Sequence, residues 1–223
     1  SSFVSSFRLK SPNSRPVSPA QANSPMTWPL LHRPKARGVI AWATVLTHLA
    51  ACIGLLLNSP GTETNPDWSA RLQFVQQHRW LWCSAWVVWM FTSASLLAFC
   101  LAWRAAMKLN APDARTALTA CVVVGIGVLL DFAGETTMIV AGVQQHLDVA
   151  SFALLMRVYQ ILSPAVANGL YCVGGTVLSI IAWRSGWLRG PLGGLGYAVW
   201  GGGMALTVAA FLNHHPSMVA SGA

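Results

Sequence analysis

Along the chain, long apolar runs alternate with short polar and basic segments, and the runs have the length that crosses a bilayer. About twenty apolar residues in a helix span the roughly 30 Å hydrocarbon layer. The pattern predicts spans over about residues 39–57, 80–103 and 116–143. Between the first two lies a polar loop rich in Asn, Pro and Gly. It is followed by a short helix that Asp67 caps, with Trp68, Leu72 and Val75 on one face. The next apolar stretch, about residues 152–183, is too long for one ordinary span and is interrupted by Arg157 and by Ser163-Pro164. It divides into an outer amphipathic or re-entrant helix over about 148–162 and a fourth span over about 164–183. A fifth span covers about 193–212.

The basic residues orient this arrangement, because Lys and Arg collect in cytoplasmic loops. With the N-terminus inside, Arg8, Lys10, Arg15, Arg33, Lys35, Arg37, Arg104, Lys108, Arg115, Arg184 and Arg189 all fall inside. That is 11 of the 14 basic residues, and the opposite orientation leaves three. The expected fold is an all-α integral membrane protein. It has five transmembrane helices, its N-terminus inside and its C-terminus outside, with short amphipathic helices on the outer side. No internal repeat is visible, which argues against an inverted-repeat transporter.

Composition supports this class. Of 223 residues, 54% are hydrophobic and 9% charged, against about 25% charged in a soluble domain. Mean hydropathy is +0.52. The net charge of +8 raises nucleic acid as a partner, but the cations are scattered between apolar runs with no basic-aromatic groove, which excludes it. Cys52, Cys83, Cys100, Cys121 and Cys172 fall within spans, form no C-x-x-C pair and read as small apolar core residues. Residues 1–25 hold eight Ser, four Pro and no acid, and read as a disordered tail outside the fold. The same composition fits an organellar transit peptide. Met26 opens "MTWPLLHRPKARG", which reads as the start of a bacterial membrane protein, with residues 1–25 foreign or upstream. Residues 26–223 then form one five-helix domain. The expected location is a bacterial inner membrane, or an organellar one if the leading segment is a transit peptide.

The third span carries the candidate chemistry. In "LLDFAGETTMI", Asp131 and Glu135 lie four apart, on one helix face. An acid inside a bilayer must be paired, neutral or facing a polar cavity. Asp131 falls near the bilayer middle and Glu135 about 6 Å further out. His48 and Asn168 fall at similar depths, with Thr136, Thr137 and Tyr171 close by and Arg157 as the expected counter-charge to Glu135. Such a cluster suits a small polar or amphipathic ligand, a cation, or proton relay; its structural alternative is a network that only fixes helix packing.

Three further patterns bear on partners and cofactors. Gly194, Ala198 and Gly202 form a small-residue stripe on the fifth span, suited to close helix packing within the bundle or against another membrane subunit or a second copy. Trp82, Trp86 and Trp89 form a stripe on the second, suited to an interface belt and packing, or to a flat apolar ligand such as a quinone or carotenoid. His78, His146, His214 and His215 lie on the outer side in no metal-binding spacing, so no metal is expected. No second buried histidine partners His48, which argues against intramembrane haem, and no hydrolase, protease or nucleotide motif occurs. No cofactor is implied by a motif. The reading is a membrane protein with a buried polar site at Asp131, Glu135 and His48. An accessory subunit of a larger complex is the second reading, and a membrane-embedded enzyme the third.

Overall fold

A computed structural model describes residues 33–220, with the backbone alone at Leu192 and residues 213–220. The expectations for residues 1–25 therefore lie outside the described residues, as do those for the side chains of His214 and His215. The described chain is helical, without a strand: α1 (Pro34–Leu57), α2 (Trp68–Gln77), α3 (Arg79–Ala106), α4 (Ala111–Val143), α5 (Val149–Gln160), a π-helical segment (Ile161–Ala167), α6 (Asn168–Arg184) and α7 (Pro191–Ala220). Five helices are long and apolar enough to cross a membrane, the fourth being the continuous run Val149–Arg184. These fit a multi-spanning membrane protein.

The helix ends follow from local chemistry. Pro34 opens α1, where its missing N–H would have had no partner. Asp67 caps α2 by accepting from the N–H groups of Ser69 and Ala70. Asn110 and Asp148 do the same for α4 and α5. Between α1 and α2 the buried Asn58 amide donates to Gly54 O at 2.8 Å and Leu81 O at 3.4 Å, tying the turn to α3. Arg71 of α2 is buried, stacked over Trp68 at 4.0 Å, with Nε 3.4 Å from Gly61 O. Burial pushes its guanidinium below its usual range, and nearby Glu63 opposes the shift.

Two apolar clusters fill the bundle. One gathers Cys100, Cys121, Val124, Val128, Leu178 and Ile181 towards the end that carries the basic residues. The other gathers Val75, Trp82, Trp86, Met138, Phe152 and Met156 at the opposite end, and there α2 packs by Leu72 and Val75. Trp82 is wholly buried and donates to Met138 O at 2.8 Å, so this part of the tryptophan stripe is core. Trp80, at 90% exposed, remains on the surface. Between the clusters lies a polar layer of Ser93, Asp131, Glu135 and Ser163, all buried. α1 is fastened to α3 by Thr44 Oγ1, 3.0 Å from Ser95 O, and by a 3.0 Å bond between the hydroxyls of Thr47 and Ser95.

One expectation needs correction and one is narrowed. The separate or re-entrant helix over 148–162 is not separate, because α5 runs through the π-helical segment into α6 as one rod of 36 residues. Pro164 has no N–H to give and crowds the preceding turn, and the helix accommodates it by widening rather than breaking. Of the two packings expected for the Gly194, Ala198 and Gly202 stripe, the one within the bundle is not made, which leaves the one against another subunit or a second copy. All three are exposed, and a Cβ on Gly194 or Gly202 would meet nothing within 4 Å. α7 instead packs through Gly203, where a Cβ would lie 2.6 Å from Cys172 Sγ, and through buried Thr207.

Candidate functional site

Asp131 is placed by the middle of α4 and satisfied from two other helices. The hydroxyls of Ser93 on α3 and Tyr171 on α6 both donate to Oδ2, the latter at 3.0 Å. The Ser163 hydroxyl, on the widened turn, faces the same carboxylate. Gly127, one turn before Asp131, makes this possible. The Tyr171 ring lies where a Gly127 Cβ would be, at 2.7 Å, so any larger residue would push the tyrosine off the acid.

One face of this cluster opens on a cavity of about 470 Å³. Its wall takes His48 and Leu55 from α1, Glu63 from the following loop, Trp86, Trp89 and Ser93 from α3, and Asp131 from α4. Tyr159, Pro164, Asn168 and Tyr171 come from the bent rod, and Trp200, Gly203 and Leu206 from α7. The His48 ring is fixed by Nδ1, 2.7 Å from Thr44 O. A carbonyl only accepts, so Nδ1 carries the hydrogen. Asn168 spends both amide hydrogens on α7, at 2.8 Å to Gly203 O and 2.9 Å to Thr207 Oγ1, and keeps its oxygen free.

The structure thus brings His48, Asp131, Asn168 and Tyr171 to one cavity. Glu135 is not on its wall. It is fully buried, and neither carboxylate oxygen meets a hydrogen-bonding group. The counter-charge expected from Arg157 is not in place: Arg157 is part-buried on α5, and no protein group comes within hydrogen-bonding distance of the Glu135 oxygens. Thr136 is exposed and bonded within its own helix to Phe132 O. Thr137 reaches Gly134 O and Leu155 O.

Sequence reasoning missed Ser93, Ser163, Glu63 and Trp200. Serines inside apolar helices carry no signal of their own, and Glu63 sits in a loop whose fold back over the bundle has no pattern. The stripe of Trp82, Trp86 and Trp89 was visible, and two of its members, Trp86 and Trp89, line the cavity. The Trp86 indole N–H is buried without a partner. His78 and His146 are exposed, and no group of three or more His, Cys, Asp or Glu gathers among the described residues. All five cysteines are free thiols.

A second cavity, of about 640 Å³, lies at the basic end between α1, α3 and α7, with Arg37, Trp103 and Trp187 on its wall. Val199 and Trp200 line both. α1 is held by α3, and α7 by the rod, so these two outer helices form the sides of one cleft along the bundle. The polar groups stand in its deeper, first-described part. No protein-family model, curated protein or solved structure matches the chain.

Proposed function

We propose that this protein binds a small amphipathic molecule in the cavity beside Asp131, and that the molecule arrives from the surrounding lipid through the cleft between α1 and α7. The observation that carries this reading is a buried carboxylate on the wall of a cavity large enough for a drug-sized ligand. A network serving only helix packing would close on itself. This one has His48, Asp131 and Asn168 on the wall of an open volume. The rest of the wall is mostly apolar and aromatic, as an amphipathic ligand requires.

Two other readings find less support. A proton relay from Asp131 to Glu135 draws less support from the protein itself, since no described protein group meets the Glu135 oxygens. An accessory role would draw on the exposed glycine stripe of α7, which identifies no partner.

Native mass spectrometry of protein released directly from its membranes tests the binding reading. The expected result is a non-lipid molecule bound one to one. It should be lost when Val199→Trp or Leu206→Trp fills the cleft from lipid-facing positions. Ordinary bilayer lipids only, in the same amounts in the variants, would contradict it.

A further inference from the structure

We infer that the ligand is an organic cation: an ammonium group that donates hydrogen bonds, carried on a flat apolar body. This rests on the binding reading above and specifies its ligand. Three features of the cavity agree. Its acidic wall residues are Asp131 and Glu63, facing the imidazole of His48, and among the described residues no Lys or Arg lines it. Arg71 on α2 partly balances Glu63, whereas Asp131 is held by hydroxyls, with no Lys or Arg paired to it among the described residues.

The second feature is the direction of the hydrogen bonds. The hydrogens of Ser93, Thr92, Tyr171, Asn168 and His48 Nδ1 are all spent on protein acceptors. Among these groups the Asn168 oxygen and the Asp131 carboxylate are left as acceptors, and on the same wall the Trp86 indole N–H is a donor without a partner. A ligand that donates satisfies the acceptors. A carboxylate or phosphate would meet acceptors and negative charge, and burying it there unpaired would be strongly unfavourable.

The third feature is the aromatic wall. Trp86, Trp89, Tyr159, Tyr171 and Trp200 surround the same volume, and Trp86 and Tyr159 pack edge to face with centroids 4.7 Å apart. Indole and phenol faces attract cations, most strongly where water is excluded, and also pack against a flat apolar body.

A matched set of probes tests this: naphthylmethylammonium, naphthylmethanol and naphthoate. They share one ring system and differ in charge. Binding to the full chain in zwitterionic-lipid nanodiscs is measured by equilibrium dialysis, with empty nanodiscs subtracted for partitioning. The ammonium should bind at least about tenfold more tightly than the alcohol, and naphthoate most weakly. Asp131→Asn should remove the preference while leaving binding of the alcohol. Glu63→Gln, a loop substitution that leaves the bundle intact, should weaken the ammonium a few-fold at low salt. Equal or better binding of the alcohol or naphthoate, still blocked by Val199→Trp, would overturn the charge assignment and leave the cavity reading standing. No saturable binding of any probe, with Val199→Trp without effect, would overturn both.

Discussion

At the scale of single residues, the account turns on how Asp131 is held. Asp131 was legible because an acid in an apolar run must be explained. Ser93 was not, because a serine in a helix bonds back to its own turn as readily as to a neighbour. Only the packing of α3 on α4 shows that it reaches the acid. Ser93→Ala is expected to destabilise the protein by about 1 kcal/mol, read by thermal unfolding in detergent. It should also weaken ammonium binding, because the carboxylate loses a positioning bond. Gly127→Val should do more, by about 1–3 kcal/mol, since the Tyr171 ring occupies the space of the new side chain. At the surface, Asp148 caps α5, and the Ser151 N–H holds its carboxyl below the usual carboxylate range. The stabilisation by this cap is present at neutral pH and is lost as pH falls through that lowered range. Protection factors in the first turn of α5, with the intrinsic exchange rate at each pH divided out, should fall at acid pH, and Asp148→Ala should abolish the dependence.

At the scale of elements, periodicity found the first three long helices and the last, because each holds one apolar run, but not their ends: α1 and α4 begin five residues before the expected spans and α7 runs eight residues beyond. It misread the fourth. Arg157 and Ser163-Pro164 look like a break in sequence, but a π-helical widening absorbs a proline without ending the helix. That widening also turns Ser163 towards Asp131 and places Pro164 on the cavity wall. Which face of α7 meets the bundle was not legible for a different reason. Gly194, Gly201, Gly202 and Gly203 are close together in sequence, and spacing alone does not say which of them meets the bundle. Gly203→Leu should therefore destabilise by about 1–3 kcal/mol through its clash with Cys172. Gly202→Leu should stay within about 0.5 kcal/mol. Equal effects of the two on the melting temperature would mean that α7 is rotated from the position described.

At the scale of the whole molecule, two apolar halves are joined by a polar layer, and the cavity opens from that layer between α1 and α7. The helix ends collect Arg33, Lys35, Arg37, Arg104, Lys108, Arg115, Arg184 and Arg189 at one end of the bundle. The positive-inside rule predicts that this end faces the cytoplasm. A cysteine placed at Lys108 in a background lacking the native cysteines should then resist membrane-impermeant maleimide in sealed cells, and one at Gln144 should react. The reverse pattern would invert the topology without touching the site. The most direct test of the central claim is a density map of the protein in native lipid, inspected between α1 and α7 beside Asp131. The account predicts non-protein density filling the cavity, in contact with the Asp131 carboxylate and flanked by Trp86 and Trp200. A cleft closed by direct packing of α1 on α7, with Asp131 bonded only to Ser93, Ser163 and Tyr171, would contradict it.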